Sequence, residues 1–237
     1  MSHPLDLFQR IYVINLATRE DRRREMADQL GRIGLGFESP QLRLFPAVRP
    51  DSAGGFPSVG ARGCFLSHLG ILRQAASEGL ERILIVEDDL NFVADFLPRA
   101  GSLVPRLLGA QFGIFYGGYE LATPSVTTGD EHVLADPTQA VQTTHFIGFQ
   151  AEAIAAAAAY LAAMLERPPG DPAGGPMHVD GAYNWFRRSH PEFQTVLAVP
   201  PLGYQRASRT DIHDLAWFDK LPGVRELVSA VRRARNG

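Results

Sequence analysis

Residues 82 to 92 read RILIVEDDLNF, four aliphatic residues running directly into Glu87, Asp88 and Asp89. Three adjacent carboxylates repel one another. A divalent cation with oxygen ligands relieves that repulsion, and full exposure in a solvated turn is the other way to do so. Ile83 to Val86 show no polar alternation, so they read as a strand buried on both faces of a parallel sheet covered by helices. The acids therefore stand at the carboxyl end of that strand, where open α/β sheets collect their ligands.

The first helical segment carries a second group of chemical interest. At 100° per residue, Arg19 and Arg22 share the face of Met26, Leu30 and Ile33. A helix that follows a strand through a tight loop starts beside the sheet's carboxyl edge, so both guanidinium groups would aim at the crevice of the acids. Arginine there suits phosphate, whereas snorkelling to solvent is the plainer alternative. His68 sits within the apolar arc of Cys64, Ile71, Leu72 and Ala75, a position that by itself reads as core, and Cys64 reads as a small buried hydrophobe. Late in the chain come His178 and Asp180 in MHVDG, then Gln205, Ser208, Asp211 and His213 in GYQRASRTDIHD. Asp180 alone reads as the N-cap of a short helix.

The elements that must hold these groups alternate at first. RIYVINL is a strand, followed by a helix with Thr18 as N-cap and Gly34 beyond its end. QLRLFPAV is a strand, PDSAGGFPSVGARG a loop able to cover a site, and Cys64 to Ala76 a helix leading into the acidic strand. A helix near 95–108 and a strand near 112–119 follow. After Gly118 the order loosens into a hairpin through TTGDEHVLAD, a strand through AVQTTHFIGF and an alanine-rich helix near 152–166. Ile154, Ala158, Leu161 and Leu165 form that helix's packing stripe. A loop RPPGDPAGGP, a helix through HVDGAYNWFRRSH and a strand TVLAVPPL complete the pass.

At 237 residues the chain suits one domain over 1–237, with 221–237 as a basic terminal helix. The net charge of −3 and the lack of a basic stripe with aromatics argue against a nucleic-acid partner. Lys220 is the only lysine, which disfavours lysine-dependent chemistry. A single cysteine, no leader in MSHPLDLFQR and no apolar run of membrane-spanning length lead us to expect a cytoplasmic protein. The basic amphipathic segment VRELVSAVRRARNG could rest on an anionic membrane, or simply pack with a solvated face.

In order along the chain, NL..R.DRR at 15–23, GCFLSH at 63–68, ILIVEDD at 83–89 and YQ...S..DI at 204–212 resemble glycosyltransferase family 25, the bacterial lipopolysaccharide glycosyltransferases with relatives among collagen galactosyltransferases. The resemblance implies an α/β fold of GT-A type, with a mostly parallel central sheet flanked by helices, residues 1–118 as nucleotide-binding half and 119–220 as acceptor-side half. It further implies manganese (or magnesium), a UDP-sugar donor such as UDP-galactose, a saccharide or glycolipid acceptor, and inversion at the anomeric carbon. Carried over by residue, the metal motif falls on Glu87, Asp88 and Asp89, reading EDD instead of a strict Asp-x-Asp. Strand alternation then sends Glu87 and Asp89 to the site, with Asp89 as direct ligand, and turns Asp88 away. Asn15, Arg19 and Arg22 match the motif at the nucleotide end, Ser67 and His68 the Ser-His pair, and His213 is a candidate to complete the metal shell. Asp180 is the expected base, with Asp171 or Asp211 as replacements. ILIVEDD also resembles the first strand of a response-regulator receiver domain, but no aspartate closes an apolar strand near 130–145 and no suitably placed lysine exists. A degenerate nucleotide-sugar binder and a hydrolase are the remaining alternatives.

Overall fold

The computed structural model describes residues 3–109, 112–121 and 132–206. Strand β1 (Arg10–Asn15) feeds helix α1 (Glu20–Arg32), then β2 (Leu42–Pro46), α2 (Val59–Ser77) and β3 (Arg82–Glu87). A short β4 (Leu90–Phe92), α3 (Phe96–Gly109), β5 (Ile114–Leu121), β6 (His132–Ala135) and β7 (Val141–Gln150) follow. The chain then forms α4 (Ala151–Leu165), α5 (Val179–Ser189), β8 (Thr195–Ala198) and β9 (Gly203–Gln205).

Seven strands form one sheet in the order β2-β1-β3-β7-β5-β8-β6, and β4 pairs with β9 in a separate ribbon. Parallel pairings of β1 with β2 and β3, and of β5 with β8, against antiparallel β7 and β6, leave five strands pointing one way and two the other. The expected α/β fold with a mostly parallel sheet and flanking helices is thus present. Alternation along the strands builds the two faces. Tyr12, Ile14, Ile83 and Ile85 join the core layer of α2, α4 and α5, while Ile11, Val13, Leu84 and Val86 join the layer of α1 and α3. Non-polar on both sides, these strands are the continuous aliphatic runs visible in the sequence.

Three local expectations change. Thr18 does not cap α1. Arg19 is the N-cap and makes no side-chain capping bond, although Gly34 does take the left-handed conformation beyond the helix end at φ 80°. The segment expected to be a loop through Gly63 becomes helical at Val59, because Ser58 accepts a hydrogen bond from Ala61 N and caps α2 one turn early. Asp180 is not an N-cap either; His178 holds that place and Asp180 lies in the first turn of α5. Strand β6 pairs with β8, and the first half of the expected hairpin through TTGDEHVLAD lies outside the described residues. The expected terminal basic helix, with Ser208, Asp211 and His213, lies outside the described residues.

Close approach decides what two helical glycines do. A Cβ on Gly63 would stand 2.5 Å from the Val48 carbonyl oxygen, so α2 packs on the chain after β2 only because the side chain is missing. Gly101 in α3 has open space around it. We expect Gly63→Ala to lower stability by about 1–3 kcal/mol, whereas Gly101→Ala raises it by up to about 1 kcal/mol. Urea unfolding midpoints check both, and equal shifts would contradict the packing argument.

Candidate active site

Where β1, β2 and β3 end, the connections into α1 and α2 open a cavity of about 420 Å³. Ile14, Leu16, Thr18 and Arg22 line it from β1 and α1, and Ala47 to Pro50 from the segment after β2. Val59, Gly60, Gly63, Cys64 and Ser67 contribute from α2, and Glu87 and Asp88 from the acidic run. Four of the expected residues, Arg22, Ser67, Glu87 and Asp88, share this cavity.

The EDD run divides differently from strand alternation. β3 ends at Glu87, and Asp88 and Asp89 form the turn into β4, so the two-residue period stops applying. Glu87 stays on the α2 side, where its Oε1 accepts a 2.7 Å hydrogen bond from the Thr144 hydroxyl and lies 3.6 Å from His68 Nε2. Asp88, expected to face away, instead lines the cavity on the α1 side. Asn15 Nδ2 donates to its Oδ2 at 2.7 Å and Arg22 Nη1 to its Oδ1 at 3.0 Å. Asp89 lies 3.7 Å from the same Arg22 nitrogen and accepts a 3.2 Å bond from Gln205 Nε2. Its Oδ1 is buried with no partner among the described residues.

β9 clamps this turn. Arg206 N donates to the Asp89 carbonyl at 2.7 Å, and the Arg206 guanidinium reaches the Asp88 carbonyl, Asn91 and Glu25. Of the late polar cluster, Gln205 does reach the acids. Arg19 does not: its guanidinium forks onto Asp21 within its own turn, bonds that hold the Asp21 carboxyl well below its usual range. Ser67 is buried and serves the backbone, donating to Gly63 O at 2.7 Å while accepting from Val48 N at 2.9 Å. Asp180 accepts from Gly181 N and Thr143 N and is not part of the cavity lining, though its charge, with those of Glu87 and Asp89, reinforces the effect of burial in pushing the Cys64 thiol well up. Asp171 accepts from Ala173 N in its own loop.

Thr144, His145, Arg49 and Tyr183 escaped the sequence reading. Thr144 and His145 reach the acids through a bulge in β7. There Gly118 pairs with Phe146 and Glu120 with Gln142, which puts three residues of β7 opposite one of β5. Thr143 takes φ 66° within it, an uncommon conformation for a β-branched residue. Only the positive φ of a threonine betrays the bulge, and sequence does not carry that. Tyr183 was hidden by its periodicity on α5; its hydroxyl shares a 3.1 Å hydrogen bond with His68 Nδ1.

The Arg22 guanidinium serves two aspartates, at 3.0 Å from Asp88 and 3.7 Å from Asp89, and Asp89 is the less well served. Burial first, and Glu87 second, push its carboxyl up to about 7. Asp88 is also raised by burial, against the pull of Asn15 and Arg22. Burial acts the same way on Glu87, but His68, Thr144 and His145 outweigh it and leave that carboxyl low. By comparison Arg187, equally buried, is spread over Thr195, Gln139, Asn184 and Asp136 oxygens and is a structural cation. The orphaned Asp89 oxygen and the all-oxygen donor set of the three acids suit a hard divalent cation such as manganese or magnesium.

Against known proteins, residues 43–116 match the model of glycosyltransferase family 25 (LPS biosynthesis protein), a span that contains both GCFLSH and ILIVEDD. The chain is 30% identical over 142 residues to the human "Inactive glycosyltransferase 25 family member 3", covering 52% of this chain and 24% of that protein. It is 28% identical over 120 residues to zebrafish "Procollagen galactosyltransferase 1", covering 44% and 20%. The resemblance to glycosyltransferase family 25 is thereby shown, its family match spanning two of the four motifs, and the chain spans about a quarter or less of the length of these relatives. A solved glycosyltransferase involved in glycosylation of the PBCV-1 major capsid superposes with a TM-score of 0.43 at 11% identity, over 84% of this chain and 93% of that one.

Two measurements probe the electrostatics. Arg22→Met strands the buried Asp88 and should cost about 3–5 kcal/mol, much of which Arg22→Met/Asp88→Leu recovers; a double variant no more stable than the single one would refute the pairing. Without added metal, folded Asp89 keeps a proton that the unfolded chain, with a carboxyl near 3.8, has already lost. Its contribution to stability therefore declines as pH rises from about 4 to about 7 and is flat above that. Asp89→Asn should remove this decline from the pH dependence of the unfolding midpoint.

Proposed function

We propose that this chain transfers a hexose, galactose foremost, from a UDP-sugar to a saccharide or glycolipid acceptor, with inversion and with a divalent cation. The observation that carries the reading is the meeting of Arg22, Glu87 and Asp88 in one cavity at the carboxyl ends of β1, β2 and β3. The match of residues 43–116 to family 25 supports the transferase class, and the galactosyltransferase names among the relatives support galactose.

In this reading the cavity takes the nucleotide diphosphate. Arg22, already aligned by Asp88, offers positive charge from the α1 side, and Arg49 offers it from the segment after β2. Asp88, Asp89 and Glu87 would hold manganese or magnesium, with His213 a candidate further ligand; the bound cation would offset charge on the departing diphosphate. Asn15 and Gln205 orient the acids, and the Thr144 hydroxyl orients Glu87. Asp180, fixed by two backbone N–H groups, takes the proton from the acceptor hydroxyl with a lone pair that those two bonds do not use. A role in lipopolysaccharide or other surface-glycan synthesis accords with the family's description, and to it we add, from the sequence alone, a place at the cytoplasmic face with membrane contact through the terminal basic segment. No helix among the described residues is long and apolar enough to cross a membrane.

A second reading, a nucleotide-sugar binder without transfer, is favoured by the relatives in human, cow, rat and mouse whose names carry the word inactive. UDP release from UDP-galactose with manganese and a saccharide acceptor separates the two. Release marks the transferase; thermal stabilisation by UDP-galactose with no release marks the binder. Asp180→Asn should keep the stabilisation by UDP and lose transfer by about 100-fold or more. Wild-type turnover in that variant removes Asp180 from the role of base.

A further inference from the structure

The α2 wall of the cavity holds groups that the proposed transfer leaves unused. His68 is fully buried, and the Tyr183 hydroxyl at 3.1 Å from Nδ1 fixes its ring. Its Nε2 is buried with no hydrogen-bond partner among the described residues. Glu87 Oε1 stands 3.6 Å away, an ion-pair distance beyond hydrogen-bond length. Cys64 lies four residues before His68, so both side chains rise from the same face of α2. The sulfur, an imidazole nitrogen and a carboxylate oxygen all fall within 4.8 Å of one another.

We propose that Cys64 Sγ, His68 Nε2 and the Glu87 carboxylate form a second cation site, selective for a borderline-soft divalent ion of the zinc and cobalt class. Such an ion holds tetrahedral sulfur, nitrogen and oxygen ligands roughly 3.4–3.6 Å apart. The His68–Glu87 separation already meets that spacing, and small side-chain shifts bring the sulfur in. Tyr183 supplies the outer partner that orients a metal-bound imidazole, with His68 Nδ1–H donating to the tyrosine oxygen. Cys64 and Glu87 both line the cavity, which gives the ion an entry path and leaves a fourth position for water or a ligand.

Ligand chemistry separates this site from the acidic turn. The turn offers only carboxylate oxygens, suited to manganese and magnesium, whereas thiolate and imidazole prefer zinc and cobalt. Binding sends the Cys64 thiol proton to solvent and forms the sulfur–metal bond. Glu87 belongs to both sets, so occupancy of one competes with occupancy of the other.

Because Cys64 is the only cysteine, its chemistry reports the site directly. Cobalt titrated into the full chain should give one equivalent of thiolate-to-cobalt charge-transfer absorption in the near ultraviolet. Asp89→Asn should keep that band. Zinc should slow alkylation of Cys64 by iodoacetamide tenfold or more while magnesium leaves the rate unchanged. Cys64→Ser and His68→Gln should each weaken zinc at least tenfold in competition with a chromophoric chelator, folding being checked by circular dichroism. Cobalt bound without the charge-transfer band, or equal alkylation with and without zinc, overturns the site, and both readouts on wild-type protein hold even if a variant fails to fold. Neither depends on sugar transfer, so a chain that binds zinc but releases no UDP refutes only the proposed function.

Discussion

The buried pairing of Arg22 with Asp88 governs the layout of the carboxyl edge of this sheet. Both side chains are about nine-tenths buried, and at 3.0 Å they hold the start of α1 against the end of β3. Desolvation takes back much of what such a pair gains, so its value lies less in net stability than in fixing where the groups stand. Arg22 is also 3.7 Å from Asp89, and one guanidinium cannot neutralise two aspartates with Glu87 close by. The turn is therefore short of positive charge. Neutral donors from Asn15, Thr144 and Gln205 spread the excess without cancelling it, and the Asp89 carboxyl is raised by burial first and by Glu87 second.

Continuous aliphatic runs announced β1 and β3, since residues buried on both faces need no polar alternation. Arg22 was legible because a charge on an otherwise apolar helix face demands a partner, and the structure supplies one 66 residues away. Arg19 obeyed the same spacing but found Asp21 within its own turn, and a local carboxylate outcompetes a distant crevice. The orientation of the EDD run was misread for a definite reason. Alternation holds only while the chain stays extended, and the three-residue β4 that ends the extension is fixed by pairing with β9, more than a hundred residues further on. No local pattern contains that pairing.

The α2 side of the acids depends on a different nonlocal feature. Val86 pairs with Phe146, so the next step of that ladder would bring His145 beside Glu87. At that point β7 bulges and Thr143 adopts its left-handed conformation, which places the Thr144 hydroxyl on Glu87 instead. Strain of this kind persists where surrounding contacts over-determine it, and here the Thr143 amide is held by Asp180 and its neighbour by Glu87. The bulge thus couples the first turn of α5 to the end of β3, two elements that do not pair. A threonine in an extended run gives no sign of this, which is why neither residue was foreseen.

Glu87 is where the two halves of the edge meet. On its β7 flank stands a hydroxyl, on its α2 flank an imidazole, and on its β3 flank two further carboxylates, so its environment changes from hard oxygen to softer nitrogen and sulfur within one side chain. Burial pushes its carboxyl up, and His68, Thr144 and His145 together outweigh burial and hold it low. An ionised carboxylate held between an aspartate turn and an unsatisfied imidazole nitrogen is a group with more demand for positive charge than the described protein atoms supply. Arg22, Glu87 and Asp88 line the cavity with Asp89 and His68 beside them, and among the described residues they do not close into a self-satisfied network like that of Arg187. A network that only holds the fold is completed internally, as that of Arg187 is; among the described residues this one stays open at Asp89 Oδ1 and His68 Nε2, the two atoms that the proposed cations would take.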